Sequence, residues 1–249
     1  MKAVYDYILS ARQAGRKLLA VLFDPDKEPI VGHGLAQRVD AADVLLVGGS
    51  TACGDARAQT ERLVSRLKAL TNKPVVLFPG QPEQFTPTAD ALLYLSVLTS
   101  RDVHTLTDIP IAAARAIHTS GMETIATGYV LIDGGKQSSV ARASCSVPLA
   151  QTEPDAVADM ALAACLMGKR LVYLEAGSGA RVPVDERVIR TVRPLVAVPL
   201  IVGGGIRHPQ QMVSAFRAGA DIVVIGNHLE QQPDDASLFR EQLQKLNND

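Results

Sequence analysis

The sequence predicts an α/β fold in which eight parallel strands, each followed by a connecting segment, close into a (β/α)₈ barrel. Short apolar runs alternate with helical patterns along the whole chain, and eight of these runs read as strands. The length of 249 residues is typical of one such barrel. No linker, low-complexity tract or internal repeat divides the chain, so residues 1–249 are predicted to form a single domain.

The strands are predicted where apolar residues follow one another without polar interruption. Continuous apolar runs are typical of strands that are covered on both faces, as in a parallel sheet. In chain order the predicted strands are Leu18–Phe23, Val44–Val47, Val75–Leu77, Ala91–Leu95, Ile125–Ile132, Leu171–Leu174, Leu200–Val202 and Ile222–Ile225.

Helices are predicted between the strands from capping residues and from apolar residues at helical spacing. The clearest begins with Thr152 as N-cap and Asp155 three positions later, and Gly168 ends it. Similar patterns predict helices over 208–219 and from about residue 55 to residue 70.

The connection between the third and fourth strands does not read as a helix. It runs FPGQPEQFTPTAD over residues 78–90 and contains three prolines. Proline removes a helical hydrogen bond and clashes with the preceding turn, so this density excludes a helix interior. We therefore predict that the third helix is absent or reduced to a loop, which opens one wall of the barrel.

Composition excludes several classes of function. The 25 Lys and Arg residues balance 26 Asp and Glu residues, for a net charge of −1, so attraction to a nucleic-acid backbone is not expected. The longest apolar run, Met160–Met167, is too short to span a bilayer. The three cysteines show no CxxC spacing, which argues against zinc and indicates a reducing, cytoplasmic setting.

Glycine-rich turns follow the seventh and eighth strands, where barrels often bind phosphate. Gly204, Gly205, Gly226 and Asn227 can present backbone N–H groups to an anion without obstruction by side chains. Each glycine could instead serve only to permit a tight turn. The presence of two such turns at adjacent strand ends, with Gly-Ser-Gly after the sixth strand, favours a phosphate site.

Two aspartates follow the first strand, in the segment FDPDK. Asp24 lies closest to the strand and could bind Mg²⁺, which takes one or two carboxylates and completes its shell with water and phosphate. Asp26 is better explained as a turn cap, and the same role remains open for Asp24. Ser50, after the second strand, could be a neutral metal ligand or a helix N-cap.

Tyr173 and Glu175 are two residues apart on the sixth strand, so their side chains project to the same side. A carboxylate that points into the barrel mouth beside a phosphate site could act as a general base. It could equally be a rim carboxylate paired with Arg181 or Arg207.

Taken together, the motifs resemble those of the geranylgeranylglyceryl phosphate synthase family, which includes bacterial heptaprenylglyceryl phosphate synthases. The resemblance covers nearly the whole chain through FDPDK, VGGS, SRD, TGYVLIDGGKQSSV, YLEAGSG, VGGGIR and IGN. The combination of YLEAGSG, VGGGIR and FDPDK is specific to the family. The DPDK start and the chain length resemble the family's second group.

The resemblance implies a modified TIM barrel without its third helix, and a Mg²⁺-dependent prenyltransferase. The implied reaction joins a geranylgeranyl chain to the 3-hydroxyl of sn-glycerol 1-phosphate through the ether bond of archaeal-type lipids. It implies that Asp24 and Ser50 bind Mg²⁺. For such a reaction, Glu175 is placed to accept the proton of the acceptor hydroxyl, so we predict that it is catalytic. The resemblance implies the following residues for sn-glycerol 1-phosphate: Tyr173, Leu174, Glu175, Ala176, Gly177, Ser178, Gly179, Gly204, Gly205, Gly226 and Asn227.

Further expectations concern the lipid chain, the assembly and the competing functions. Residues 78–90 with the fourth strand are the candidate wall of a prenyl groove, although that strand could simply be core. A homo-oligomer, dimer or hexamer, is expected, with the helix over 154–167 as a candidate contact. Two alternatives remain open: a phosphosugar isomerase or lyase that uses Asp24 and Asp133 as an acid/base pair, and a non-catalytic phosphate-binding barrel.

Overall fold

A computed structural model describes residues 3–27, 34–49 and 54–248. Eight parallel strands form a closed barrel in chain order, and the first strand pairs with the eighth to complete the ring. The predicted fold class is confirmed. The strands are β1 (Leu18–Phe23), β2 (Val44–Val47), β3 (Val75–Leu77), β4 (Ala91–Val97), β5 (Glu123–Leu131), β6 (Leu171–Glu175), β7 (Leu200–Gly203) and β8 (Ile222–Ile225).

Helices cover the outside of the barrel and one of its ends. They are α1 (Val4–Gln13), α2 (Leu35–Ala41), α3 (Ala56–Leu70), α4 (Ile109–Ser120), α5 (Ser139–Ala143), α6 (Pro154–Leu166), α7 (Glu186–Val192), α8 (Pro209–Ala218), α9 (Asn227–Gln231) and α10 (Ala236–Asn248). A π-helical turn, His104–Asp108, precedes α4. Within the described ranges, none of these helices has the length and apolar character needed to cross a bilayer.

Helix ends follow the capping chemistry in two of the three predicted cases. The side chain of Asp55 accepts a hydrogen bond from the Ala58 backbone at the start of α3, and α8 begins after His208 and ends at Gly219. The prediction of Thr152 as N-cap of α6 is wrong. The N-cap is Glu153, which makes no side-chain capping bond, because proline at the next position already removes one N–H that would need a partner.

The connection between β3 and β4 contains no α-helix, as predicted from its prolines. Only a 3₁₀ turn, Pro82–Gln84, forms there. Without a helix, the backbone N–H groups of this segment need other acceptors. The buried side chain of Gln84 supplies one, since its Oε1 accepts a hydrogen bond from Gly80 N at 2.7 Å. At the end of the segment, Asp90 Oδ2 accepts from Val75 N at 2.9 Å, which fixes the entry to β3.

Apolar side chains form two clusters on opposite faces of the barrel wall. Alternate strand residues point into the barrel, and their partners point toward the helices. Helix α1 belongs to the inner cluster and closes the amino-terminal end of the barrel. The Glu123 carboxylate at the start of β5 accepts from the backbone N–H groups of Val4 and Tyr5. The interior is therefore sealed at this end.

Candidate functional site

A cavity of about 480 Å³ lies at the carboxyl ends of the barrel strands. Its walls come from the turns after β1, β2, β3, β6, β7 and β8, together with residues from the neighbouring loops. The predicted site residues that line it are Asp24, Tyr173, Glu175, Ser178, Gly179, Gly204, Gly205, Gly226 and Asn227. The structure therefore brings these predicted residues together around one cavity, and their roles stay predictions.

Three residues implied by the YLEAGSG motif do not line the cavity. The side chains of Leu174 and Ala176 are buried in the layer between the strands and the helices, because they alternate with Tyr173 and Glu175 along β6. Gly177 contributes its backbone N–H to Glu175 instead. Ser50, the other predicted metal ligand, lies outside the described residues.

Glu175 occupies the inner face of β6 at the cavity floor and is only 7% exposed. Its Oε1 accepts a hydrogen bond from Gly177 N at 2.7 Å. Burial raises the pKa of Glu175 to about 7, against the opposing effects of the Tyr173 hydroxyl and the Gly177 N–H. A carboxyl group with this pKa can exchange protons near neutral pH.

Gly204 allows the β7 turn to approach Glu175 closely. Its φ of +84° is a left-handed conformation, and a Cβ there would stand 2.4 Å from Glu175 Oε1 and 2.7 Å from Gly177 N. Any other residue at position 204 would collide with these atoms. The glycine therefore brings the turns after β6 and β7 together around one carboxylate.

An aromatic cluster of Phe78, Tyr129 and Tyr173 lies beside Glu175. The ring centroids of Phe78 and Tyr173 are 5.4 Å apart, and those of Tyr129 and Tyr173 are 5.3 Å apart. Burial and the nearby Glu175 raise the pKa of both tyrosines well above its ordinary value, so both hydroxyls keep their protons. These protonated hydroxyls are available as hydrogen-bond donors at the cavity floor.

The hydroxyl of Tyr173 is a buried polar atom whose partner is missing. It makes no hydrogen bond of good geometry within the described part of the chain. Tyr173 Oη and Glu175 Oε2 lie 2.6 and 2.7 Å from the point where a Cβ on Gly203 would stand, so both face the same small volume. An unpartnered buried hydroxyl is costly, and a ligand that carries its own hydroxyl would satisfy it.

Asp24 lines the opposite side of the cavity mouth, in a cluster with Lys27 and Glu230. Lys27 Nζ is 3.1 Å from Asp24 Oδ2 and 3.4 Å from Glu230 Oε2. Burial lowers the pKa of Lys27, but Glu230 and Asp24 raise it above its ordinary value on balance. Asp24 Oδ1 also accepts from Asp26 N at 3.1 Å, so Asp24 combines the predicted turn role with a place in the cavity.

The carboxylates near Asp24 are oxygen ligands, the type that Mg²⁺ prefers. Among the residues of known position, no group of three or more His, Cys, Asp and Glu side chains is arranged around a common point. Magnesium does not need such a cage, since it is commonly held by one or two carboxylates together with water and substrate phosphates. Asp24, which lines the water-accessible cavity, supplies a carboxylate of this kind.

The structure does not bring together the residues that two competing interpretations require. Asp133 is exposed, does not line the cavity, and accepts a hydrogen bond from Gly135 N at 2.8 Å. It therefore cannot form an acid/base pair with Asp24 across the site. Arg207 donates to the carbonyl oxygens of Ala180 and Arg181 rather than to Glu175.

One part of the cavity, the apolar arm, has apolar walls and lies beside the segment that forms no α-helix between β3 and β4. Phe78, Pro79, Leu95, Val97, Ile109 and Pro110 line this arm. The start of segment 78–90 and the end of β4 therefore line the cavity, and their role as the wall of a prenyl groove stays a prediction. Ala91, Leu92 and Leu93 are buried core residues and do not reach the arm.

Several lining residues have no place in the sequence prediction: Lys27, Tyr129, Lys136, Arg207, His228 and Glu230. Two signals could have found some of them. Lys27 belongs to the FDPDK motif, three residues after Asp24, and Glu230 follows Asn227 at the same spacing. Lys136 lies in a loop after β5, and its approach to the cavity depends on packing between two loops.

Comparison with known proteins supports the motif resemblance. The PcrB family model matches residues 13–242. A geranylgeranylglyceryl phosphate synthase from Zunongwangia profunda is 45% identical over 232 residues, which cover 92% of this chain and 98% of the relative. A protein of the same name from Korarchaeum cryptofilum is 35% identical over 238 residues, which cover 94% and 96%.

A solved structure extends the agreement to three dimensions. The (S)-3-O-geranylgeranylglyceryl phosphate synthase from Thermoplasma acidophilum, in complex with its substrate sn-glycerol-1-phosphate, superposes with a TM-score of 0.88 at 30% identity. The match covers 98% of this chain and 100% of that one. The family model spans most of the chain, and these relatives match it almost end to end, so the chain belongs to the PcrB family.

Proposed function

We propose that this chain is a geranylgeranylglyceryl phosphate synthase. In the reaction, the 3-hydroxyl oxygen of sn-glycerol 1-phosphate forms a bond to C1 of geranylgeranyl diphosphate while the C1–O bond to diphosphate breaks. The hydroxyl proton goes to the enzyme, and diphosphate leaves. The names of the relatives and the substrate bound in the Thermoplasma acidophilum structure support both substrates.

The observation that carries this proposal is the position of Glu175. It is a buried carboxylate with a pKa of about 7, and it lines the same cavity as the glycine-rich turns and the apolar arm. A base in this place can take a proton from a small polar acceptor on one side while a long hydrocarbon lies on the other. An isomerase of small phosphosugars has no use for the apolar arm.

The glycine-rich turns provide uncharged hydrogen-bond donors for the glycerol phosphate. Backbone N–H groups at Gly204, Gly205, Gly226 and Asn227 are the proposed donors to the phosphate. Ser178 Oγ donates to Asn227 Oδ1 at 3.0 Å, which connects the turn after β6 to the turn after β8. A phosphate held here would leave the far end of the glycerol near Glu175 and Tyr173.

Glu175 and Tyr173 have different roles at the acceptor hydroxyl. The ionised Glu175 accepts the proton as the hydroxyl oxygen attacks. The protonated Tyr173 hydroxyl, which makes no hydrogen bond of good geometry among the described residues, can donate to an oxygen of the glycerol. These two contacts orient one oxygen for attack, and orientation is the main requirement when the electrophile is a stabilised allylic carbon.

Asp24 and, by the family resemblance, Ser50 are the residues proposed to hold Mg²⁺ on the donor side. When bound, the ion supplies positive charge that offsets the charge developing on the diphosphate. Lys27 lies beside Asp24 on this side of the cavity and pairs with Asp24 and Glu230. The apolar arm shields the prenyl chain and excludes water from the allylic carbon.

The direct test is incubation with radiolabelled sn-glycerol 1-phosphate, Mg²⁺ and a series of prenyl diphosphates, followed by chain-length analysis of the product. We expect a geranylgeranyl ether of glycerol phosphate. Acceptance of sn-glycerol 3-phosphate in place of the 1-phosphate, or no ether product with any donor, would refute the proposal.

A further inference from the structure

The loop after β5, with the sequence Asp-Gly-Gly-Lys over residues 133–136, packs against the Gly-Ser-Gly turn after β6. Gly134 O accepts hydrogen bonds from Arg181 N at 2.7 Å and from Val182 N at 3.2 Å. A Cβ on Gly134 would lie 2.3 Å from Ala176 O, so only glycine allows this approach. The two loops are therefore held together by backbone contacts.

This packing places the ammonium group of Lys136 in the cavity, beside the turn that we propose to bind phosphate. Lys136 Nζ lies 3.1 Å from the point where a Cβ on Gly179 would stand, and Asn227 Nδ2 lies 3.6 Å from the same point. Both nitrogens thus flank the free space above Gly179. Lys136 and Asn227 both line the cavity.

The other Lys and Arg side chains of the cavity wall already have partners in the protein. Three Lys and Arg residues with known positions line the cavity: Lys27, Lys136 and Arg207. Lys27 pairs with Asp24 and Glu230, and Arg207 donates to two backbone carbonyl oxygens. Within the described ranges, the Lys136 ammonium has neither an ion-pair nor a hydrogen-bond partner in the protein.

A phosphate monoester carries close to two negative charges at neutral pH, and neutral N–H donors alone do not balance them. The glycine turns, Ser178 and Asn227 supply only neutral donors. We propose that Lys136 supplies the positive charge that binds the phosphate group of the glycerol phosphate. This inference rests on the proposed function, and it assigns to Lys136 the selection of a phosphorylated acceptor over an uncharged one.

The test compares Lys136→Met, which removes the charge but keeps the length, with Lys136→Arg, which keeps the charge. K136M loses a hydrogen bond between two charged groups, which weakens substrate binding. We therefore expect K136M to raise KM for sn-glycerol 1-phosphate about 10- to 100-fold. We expect kcat and KM for the prenyl diphosphate to stay within about twofold. K136R should recover most of the affinity, and Lys245→Met, on the exposed face of α10, should change none of these constants.

Two further measurements separate a charge effect from a structural one. Titration calorimetry of sn-glycerol 1-phosphate without the prenyl donor should show the same loss of affinity in K136M. Added KCl should weaken binding to the wild type more than binding to K136M, because salt screens the removed charge.

Each remaining outcome decides the inference. An unchanged acceptor KM in an active K136M enzyme would overturn the role of Lys136 and leave the proposed function intact. A parallel fall of kcat and melting temperature, not recovered in K136R, would make Lys136 a structural residue and also overturn it. Absence of prenyl transfer by the wild type would refute the proposed function itself.

Discussion

At the scale of single residues, Glu175 combines burial with a chemical role. Its carboxyl group is removed from water by the barrel interior, and one short hydrogen bond from Gly177 N orients it. Burial disfavours the ionised form and brings the pKa to about 7, so the group is a base of useful strength at neutral pH. Position and basicity thus have the same structural cause.

We predict that Glu175→Gln lowers kcat by about 100-fold to 10,000-fold, the usual contribution of a general base. Wild-type kcat should fall as pH decreases through about 7, because Glu175 then gains a proton and cannot accept another. A steady-state pH profile at saturating substrates measures both effects. The residual kcat of E175Q should not change with pH near 7. A pH dependence caused by the substrate phosphate would persist in E175Q, so this comparison distinguishes the two groups.

Glu61→Gln provides the matched control, since Glu61 is an exposed residue of α3 on the outside of the barrel. Its kcat and pH profile should equal those of the wild type. A full-rate E175Q enzyme would remove Glu175 from the mechanism and favour a non-catalytic binding protein.

Asp24 is the residue on which the metal proposal depends. We predict that EDTA abolishes product formation, that excess Mg²⁺ restores it, and that Asp24→Asn lowers kcat/KM for the prenyl diphosphate by at least about 100-fold. Asp26→Asn, in the same segment but exposed, should stay within about twofold. Mn²⁺ binding followed by electron paramagnetic resonance provides a readout that does not require turnover. Activity that persists in EDTA would contradict the metal requirement.

At the scale of secondary-structure elements, the connection between β3 and β4 forms a proline-rich segment in place of a covering helix. Gln84 holds this segment through a hydrogen bond from Gly80 N. Because no helix covers this wall, Phe78 and Pro79 can line the apolar arm. A single local feature of the sequence therefore determines where the hydrocarbon can lie.

We predict that Gln84→Ala lowers the free energy of unfolding by about 1 kcal/mol, because the half-buried Gly80 N–H loses its side-chain acceptor and keeps only Gly49 O. Glu83→Ala, its exposed neighbour, should change the free energy of unfolding by less than about 0.5 kcal/mol. Urea unfolding measures the free energy of unfolding of both variants, and its dependence on urea concentration should be the same as in the wild type. Equal stability of the two variants would show that the Gln84 amide does not support the segment.

Elements and residues differ in how far the sequence predicts them. The prolines of 78–90 predict the missing helix, and the positions of Asp24 and Glu175 at strand ends predict their place at the rim. The alternation along β6 could also have shown that Leu174 and Ala176 face away from Tyr173 and Glu175. Lys136 could not be placed, because its approach to the cavity depends on how two separate loops pack.

At the scale of the whole molecule, the most exposed large apolar side chains on the described α-helices lie on α4 and α6. Ile111 on α4 is 66% exposed, and Leu166 at the end of α6 is 82% exposed. We predict a homo-oligomer, so light scattering at micromolar concentration should give a multiple of the 26.5 kDa chain mass. Ile111→Asp and Leu166→Asp test the two helices separately, and the variant that lowers the mass identifies the contact. A wild-type mass of 26.5 kDa would refute the prediction.

The buried base also affects the stability of the whole barrel. Glu175 has a pKa of about 7 in the folded chain against an ordinary value of 4.5, so between these pH values the folded state holds a proton that the unfolded state has released. The favourable contribution of this proton to folding is complete below pH 4.5 and is lost as pH rises through about 7. The shift corresponds to about 3 kcal/mol.

We therefore predict that Glu175→Gln makes the free energy of unfolding less dependent on pH in this window. Wild type and E175Q should be close in stability near pH 4.5, and E175Q should be more stable by about 3 kcal/mol at pH 8, because its neutral amide requires no ionisation in the barrel interior. Urea unfolding at a series of pH values measures the difference, and E61Q should follow the wild type throughout. A constant difference between wild type and E175Q across this range would mean that Glu175 is ionised in the folded chain at low pH, and its proposed strength as a base would then be wrong.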